Sequence, residues 1–161
     1  SSLLKCFETA KKENSDLIYF VEDDYLHFEN SLTDMINTYE RVSSQSEKDI
    51  IICPCDYPFN YMSNEKTNIL IGSNQHWRTI QKILCTFMIS KKMLEKYWDN
   101  LIKTCEKRHD PFEKYINEIL INEIGISPIN TLSIHLTNVN SSYGLSPFVD
   151  IKKLWDENNT S

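Results

Sequence analysis

The chain has 161 residues, of which 40% are apolar and 25% are charged, ordinary values for a globular protein with one apolar core. Its formal net charge of -6 argues against a nucleic-acid partner, because binding to phosphates draws on clustered lysines and arginines. No apolar run approaches the roughly 20 residues that cross a bilayer, and no secretion signal opens the chain. We therefore expect a single domain over residues 1–161, with neither a transmembrane segment nor a nucleic-acid partner.

The five cysteines are odd in number and irregular in spacing, which favours a reducing compartment over a disulfide framework. Cys53-Pro54-Cys55 is one residue too short for a redox CxxC motif, and it has no second Cys/His pair nearby for a zinc site. We predict that these thiols are small buried side chains and that the protein is cytoplasmic.

The N-terminal half alternates between the helical and the strand pattern. Apolar residues at helical spacing predict one helix from Ser2 to about Lys12 and another that starts at Ser31, with Ser31 and Asp34 as an N-cap pair. Between them, Leu17–Val21 is a continuous apolar run, typical of a strand buried on both faces of a parallel sheet. Further strands are predicted at Asp49–Cys53, Asn68–Ile71, Ile83–Ile89 and Thr131–Thr137.

Two further helix starts are visible in the second half. Ser90 is predicted to cap one helix, and Asp110-Pro111-Phe112-Glu113 gives the next an N-cap acid, a proline at the first helical position and a capping-box glutamate at the third. Helices that alternate with apolar strands predict an α/β fold with a mixed sheet.

The acidic run Glu22-Asp23-Asp24 directly follows the predicted strand Leu17–Val21. Ligands of open α/β sheets bind at the carboxyl ends of the strands, so this is the expected edge for a site. In extended backbone, residues 22 and 24 point to one side and residue 23 to the other. Two such charges about 6 Å apart repel by roughly 3 kcal/mol at an effective dielectric constant near 20. A divalent cation with oxygen ligands would offset that repulsion, although a solvated acidic turn is the alternative.

Three other positions in the sequence contain residue types that are common in catalytic or binding sites. His135 alternates with apolar neighbours in the predicted last strand, where a histidine is more often structural than a ligand. Asp110 and Glu113 are explained by the capping box, yet an acid at a helix start can also act as a general base. His76-Trp77-Arg78 suits a sugar or diphosphate contact, or equally a strand with Trp77 packed inward and Arg78 solvated.

The chain resembles glycosyltransferases of the GT-A fold, in particular family-2-like bacterial and viral enzymes. The resemblance implies a GT-A-like, mixed and mostly parallel sheet flanked by helices. It rests on four stretches in the same order, spread over most of residues 2–150. These stretches are residues 18–27, Cys55-Asp56-Tyr57-Pro58 with Tyr61, His76-Trp77-Arg78 with Thr86-Phe87, and His135 with residues 145–150.

The resemblance implies a DXD role for Glu22-Asp23-Asp24. Asp24 would bind Mn²⁺ or Mg²⁺ that bridges the diphosphate of a nucleotide-sugar, while Asp23 or Glu22 would reach the ribose or the sugar. His135 would complete the metal shell together with these acids. In inverting members an acid near a helix start deprotonates the acceptor hydroxyl, and Asp110 matches that position best, with Glu113 as the second choice.

We therefore expect a metal-dependent glycosyltransferase of the hexosyltransferase type that acts in glycan or surface polysaccharide synthesis. Its partners would be a nucleotide-sugar donor and a glycan or other hydroxyl acceptor, and a homo-oligomer remains open. GT-A enzymes build the nucleotide pocket from a βαβ unit before the DXD strand, whereas only about 20 residues precede Glu22 here. We accordingly expect this chain to be the C-terminal catalytic or acceptor part of a longer enzyme, unless the nucleotide pocket comes from elsewhere. The alternatives are a non-catalytic carbohydrate- or metal-binding domain and, less favoured, a sugar nucleotidyltransferase.

Overall fold

A computed structural model describes residues 2–106, 113–137, 139–146 and 149–159 of the chain. Helices and strands alternate along it, as the apolar patterns predict. The helices are α1 (Ser2–Lys12), α2 (Ser31–Ser46), α3 (Phe59–Met62), α4 (Lys91–Lys96), α5 (Trp98–Thr104), α6 (Lys114–Ile119) and α7 (Ile151–Asn158). The strands are β1 (Leu17–Phe20), β2 (Tyr25–His27), β3 (Ile50–Ile52), β4 (Ile69–Ile71), β5 (His76–Ile80), β6 (Phe87–Ser90), β7 (Ile124–Pro128) and β8 (Ser133–His135).

Six of the strands form one sheet in the order β1-β6-β3-β7-β5-β4, and β2 pairs with β8 in a separate two-stranded ribbon. The prediction of a mixed α/β fold is therefore confirmed. Within the described residues, only the β3–β7 pairing of the large sheet is parallel, so the prediction of a mostly parallel sheet is wrong. One physical reason is the β4–β5 hairpin, which reverses the chain at a tight turn closed by the Gly72 N–H donating to the Gln75 carbonyl oxygen at 2.9 Å.

β1 lies at an edge of the large sheet rather than in its interior. It pairs antiparallel with β6 over Leu17–Phe20, and Val21 beyond it is 49% exposed. Its apolar run instead serves contact with α1, where the Phe7 and Phe20 rings meet edge to face at 4.8 Å. The prediction of a strand fully buried on both faces is wrong, because three of the four residues of this edge strand remain partly exposed.

The apolar patterns missed the central strand β7 and the short strand β2. In β7, Gly125 and Pro128 look like turn residues, but both lie within the strand. A Cβ atom on Gly125 would lie 2.6 Å from a terminal methyl group of Leu120, so a larger residue there would have to displace that side chain. The strand predicted at Ile83–Ile89 is confined to Phe87–Ser90, and the one predicted at Thr131–Thr137 to Ser133–His135.

Of the helix starts predicted at Ser90 and Ser31, the first is confirmed and the second is revised. The Ser90 hydroxyl accepts a hydrogen bond from the Met93 N–H at 2.9 Å and caps α4 as predicted. Ser31 does not cap α2, because its hydroxyl donates to the carbonyl oxygens of Phe28 and Leu132, both at 2.5 Å. The N-cap position belongs to Asn30, which has a left-handed φ of 64°.

Apolar clusters lie on both faces of the large sheet, and the directions of its strands determine where the candidate site lies. β1, β3 and β7 run in the same direction, so their carboxyl ends share one edge of the sheet with the start of β6. The β2·β8 ribbon attaches at that edge, where the Leu132 and Ser133 N–H groups donate to the Pro54 carbonyl oxygen at 2.9 and 3.3 Å. No helix in the described ranges is long and apolar enough to span a membrane.

Candidate active site at the carboxyl edge of the sheet

The ribbon brings Asp24 and His135 together. Tyr25 pairs with His135 across the antiparallel strands, and the Leu136 N–H donates to the Asp24 carbonyl oxygen at 2.9 Å. This register puts the His135 Nε2 atom 3.0 Å from the Asp24 Oδ2 atom. The resemblance had implied that these two residues act together, and the structure places them in direct contact.

The hydrogen bonds of His135 fix which of its two ring nitrogens faces Asp24. Nδ1 lies 3.1 Å from the Tyr143 carbonyl oxygen, which can only accept, so Nδ1 carries a proton. A neutral ring then presents the Nε2 lone pair to a carboxylate oxygen, and two acceptors 3.0 Å apart need a proton or a cation between them. Histidines that bind metals are oriented in this way, by an N–H bond from the other ring nitrogen to a carbonyl oxygen or carboxylate.

Two further contacts hold this pair. The Tyr25 ring stacks on the His135 ring, with centroids 4.8 Å apart and planes 13° from parallel. The Thr137 hydroxyl donates to the same Asp24 oxygen that faces His135. The Tyr25 hydroxyl meets that of the buried Tyr57 at 2.7 Å, which ties the ribbon to the segment after β3.

Glu22 and Asp24 are both half-buried, whereas Asp23 between them is exposed, as the alternation of extended backbone predicts. Glu22 is held by Thr86 at the start of β6. The Thr86 hydroxyl accepts from the Glu22 N–H at 3.0 Å and donates to its Oε2 atom at 3.4 Å. Burial raises the pKa of Glu22 above its ordinary value, and the Asp24 charge raises it further. The negative charges of the Glu22 and Asp24 carboxylates are therefore incompletely solvated at this edge.

Glu113 belongs to the same neighbourhood. After burial and Asp24, its charge also raises the pKa of Glu22, while the nearby His135 lowers it. Glu113 occupies the N-cap position of α6 rather than the third helical position, and the Asp110 partner of the predicted capping box lies outside the described residues. Asp110, the preferred candidate for the base, lies outside the described residues.

The three residues His76, Trp77 and Arg78 do not form one contact surface. Trp77 is fully buried, and a Cβ atom on Gly72 would lie 2.2 Å from its indole nitrogen. It therefore offers no ring face to a sugar or nucleotide, and the alternative of an inward tryptophan is confirmed. Arg78 is also buried and pairs with Asp56, against the expectation of a solvated guanidinium. His76 alone of the three is exposed.

The donors at this edge suit a hard divalent cation that takes part of its shell from elsewhere. Within the described residues, no three His, Cys, Asp or Glu side chains are arranged to hold one ion, so Glu22 does not join Asp24 and His135 as a third ligand. Two protein ligands fit Mg²⁺ or Mn²⁺, because such ions are commonly bound by one or two carboxylates together with substrate phosphates and water.

Neither a scan of protein-family models nor a search of curated proteins finds a match to this chain. The geometry of the edge is therefore the basis for any statement about function.

Several contacts at the site were not predicted from the sequence. Thr86 and Thr137 support Glu22 and Asp24, and the Tyr143 carbonyl orients His135. Thr86 could have been suspected, because it precedes an apolar strand run and small polar residues at such positions often line sites. The role of Tyr143 depends on its backbone oxygen, for which the sequence contains no signal.

Proposed function

We propose that this domain transfers a sugar from a nucleotide-sugar to a hydroxyl acceptor with the help of Mn²⁺ or Mg²⁺ bound at Asp24 and His135. The observation that carries the proposal is the approach of the His135 Nε2 atom to the Asp24 carboxylate at 3.0 Å, with Nδ1 facing the Tyr143 carbonyl oxygen. A metal bound there would supply positive charge to the diphosphate leaving group.

The charge of the chain supports a cation at this place. The formal net charge is -6, and the described guanidinium nearest to the sheet edge, that of Arg78, is buried against Asp56. A diphosphate brought to Asp24 would meet acidic neighbours in Glu22 and Glu113. Screening by a divalent cation reconciles an anionic substrate with an acidic edge.

The residues of the chain would divide the remaining work. The acceptor oxygen forms a bond to the anomeric carbon as the bond from that carbon to the diphosphate oxygen breaks, and the electron pair leaves on the diphosphate. The acceptor proton would pass to a carboxylate, for which Asp110 and Glu113 are the candidates. Glu22, held by Thr86, and the exposed Asp23 would contact the ribose or the sugar.

Binding of Mn²⁺ tests the metal site apart from catalysis. Free Mn²⁺ gives a sharp electron paramagnetic resonance signal that is lost on binding, so titration with and without a nucleoside diphosphate measures the affinity. We expect Asp24→Asn to abolish this binding with the fold intact, and Glu29→Gln, an exposed acid beyond β2, to leave it unchanged. Equal binding by both variants would reject the assignment of the metal site.

Transfer of sugar tests the reaction itself, in the longest natural form of the protein. We expect Mn²⁺- or Mg²⁺-dependent transfer that is lost in Asp24→Ala and in excess chelator. Full activity of either sample would contradict the proposed mechanism. Metal and nucleotide binding without transfer would favour a degenerate domain used for binding.

The two alternatives give different results. A sugar nucleotidyltransferase would release diphosphate from a nucleoside triphosphate and a sugar phosphate, but the chain has only three glycines for a phosphate loop. A non-catalytic carbohydrate-binding domain would bind free glycan and show no response to nucleotide or Mn²⁺. Calorimetric titration with nucleotide and metal separates it from the proposed enzyme.

A further inference from the structure

A second cleft, of about 660 Å³, opens at the same edge of the sheet. Asp56, which follows β3, lines it, as do Phe28 and Leu132, which flank the β2·β8 ribbon. The ribbon pairs Tyr25 with His135 at one end and His27 with Ser133 at the other, so the cleft lies at the end opposite to His135. Its volume is in the range that holds small-molecule ligands.

Asp56, which lines the floor of this cleft, forms an incompletely satisfied ion pair with Arg78 buried beneath it. An Arg78 Nη atom lies 3.5 Å from Asp56 Oδ1, and the two side chains are 9% and 3% exposed. Within the described residues, neither Asp56 Oδ1 nor Arg78 Nε has a hydrogen-bond partner. Burial raises the pKa of Asp56 even though Tyr61, Arg78 and the nearby Asn60 amide oppose the shift. Buried charged groups left short of partners are uncommon and point to a ligand that completes them.

Tyr61 covers this pair and shows which group it accepts. Its hydroxyl donates to the Asp56 carboxylate and accepts from an Arg78 Nη atom at 2.6 Å. Its ring lies 4.3 Å from the guanidinium carbon, yet the residue is 54% exposed. It belongs to the four-residue helix α3, which has no buried residue, so a ligand hydroxyl that takes over its two hydrogen bonds can displace the ring without disturbing the core. A neutral hydroxyl therefore occupies the place between carboxylate and guanidinium.

The other walls also suit a neutral polar ligand. Asp150 and Lys153 also line the cleft and carry opposite charges, and Asp56 is paired with the buried Arg78 beneath it. The remaining lining combines apolar side chains with amides and hydroxyls, among them Ile129, Val149, Gln75, Asn130 and Thr131. A phosphate or carboxylate would need a surplus of positive charge, whereas a sugar offers hydroxyls and an apolar ring face.

We propose that this cleft binds a saccharide, one hydroxyl of which replaces the Tyr61 phenol between Asp56 and Arg78. Binding requires neither nucleotide nor divalent cation, and it is therefore separable from the proposed transfer chemistry at Asp24. In the context of that chemistry, the cleft holds a sugar unit away from the metal.

Amide chemical shifts of the ¹⁵N-labelled protein test the proposal. The probes are the methyl glycosides of glucose, galactose, mannose and N-acetylglucosamine, titrated in the presence of chelator. We expect at least one of them to shift the amides of Asn130, Thr131 and Ser146 with an affinity in the millimolar range, about 4 kcal/mol. Inorganic phosphate is the competing probe. The proposal is overturned if phosphate alone shifts these amides, or if no glycoside shifts them at its solubility limit.

Variants of the residues at the floor should change the affinity for the saccharide in a direction that nonspecific stacking would not produce. Tyr61→Phe removes the internal hydroxyl and keeps the ring, so affinity should rise about fivefold to tenfold, because the ligand no longer competes with the phenol. Asp56→Asn should weaken binding, and Met62→Ala, an exposed neighbour on α3, should leave it unchanged. Unchanged or weaker binding by Tyr61→Phe overturns the proposal. Asp24→Asn leaves saccharide binding intact, so a failure here and a failure at the metal site are distinguishable.

Discussion

The imidazole of His135 contacts the carboxylate of Asp24 at 3.0 Å, although 111 positions separate the two residues in the chain. The contact depends on a ribbon of two three-residue strands and on one backbone carbonyl, that of Tyr143, which orients the ring. The first prediction tests whether this arrangement serves a cation.

Replacement of His135 by alanine should weaken Mn²⁺ binding by more than the roughly 10- to 100-fold that follows the loss of a supporting partner of a metal ligand. The reason is that His135 would be one of only two protein ligands. Electron paramagnetic resonance titration measures the change. His76→Ala removes an exposed histidine on β5 and should have no effect. Similar losses in both variants would show that the binding is not localised at the ribbon.

Thr86 positions Glu22, and its hydroxyl can be removed with little change of shape. Thr86→Val should raise the pKa of Glu22 further, because the Thr86 hydrogen bond lowers it in the native protein. It should also cost about 1–2 kcal/mol of unfolding free energy, since the buried Glu22 N–H loses its acceptor. Carboxyl chemical shifts followed against pH measure the pKa, and urea unfolding measures the stability.

The matched control for this variant is Thr104→Val. Thr104 is equally buried, but its hydroxyl donates within α5, to the Asn100 carbonyl oxygen at 3.0 Å. This control should leave the titration of Glu22 unchanged. A Glu22 titration in Thr86→Val that matches the native one would mean that Thr86 fills space only.

The sequence predicts local features of the site better than it predicts which of its residues contact each other. The period-two alternation of extended backbone correctly separates the exposed Asp23 from Glu22 and Asp24, because it depends on neighbouring residues alone. The contact of Asp24 with His135 depends on strands of three residues each, too short to produce a pattern. In the sequence, only the resemblance to GT-A glycosyltransferases, and no periodicity, indicates that these two residues act together.

The errors in the predicted fold have a common physical origin. β7 contains Gly125 and Pro128, residues typical of turns, yet it pairs with β3 and β5 near the centre of the sheet. The sequence left Trp77 equally open to a ligand contact or to inward packing, and the space beside Gly72 decides for burial. In each case long-range packing, rather than local composition, decides the outcome.

His27 should make the protein less stable in mild acid. Burial lowers its pKa below the ordinary value of 6.5, and its Nε2 atom lies 2.6 Å from the Tyr19 hydroxyl, which donates to the neutral ring. The folded state thus resists a proton that the unfolded chain accepts. Stability is unaffected by this group above its unfolded pKa and decreases as the pH falls below it.

His27→Gln keeps an acceptor for Tyr19 but removes the titration. The fall in unfolding free energy between about pH 7.5 and about pH 5.5 should therefore be smaller in this variant than in the native protein. Urea unfolding at both pH values measures it. His76→Gln, on an exposed residue, should keep the native slope. If His27→Gln retained that slope as well, the pH dependence would have to come from other groups.

Lys91 should hold the C-terminal end of α1 against the sheet. Its ammonium group donates to the carbonyl oxygens of Ala10 and Glu13, both at 2.9 Å, and to that of Lys11 at 2.5 Å. These carbonyls carry the negative end of the helix dipole and have no partner within the helix. Lys91→Met keeps most of the side-chain volume and removes the charge, and should lower the unfolding free energy by about 1–2 kcal/mol.

Lys92→Met is the matched control, because Lys92 is the exposed neighbour on α4 and should change stability by less than about 0.5 kcal/mol. Amide hydrogen exchange adds a local readout. In Lys91→Met, exchange should accelerate in the last turn of α1 more than in the central strand β3, since the lost bonds cap only that helix. Uniform acceleration, or equal destabilisation by the two lysine variants, would show that Lys91 contributes through general charge rather than through its three carbonyl contacts.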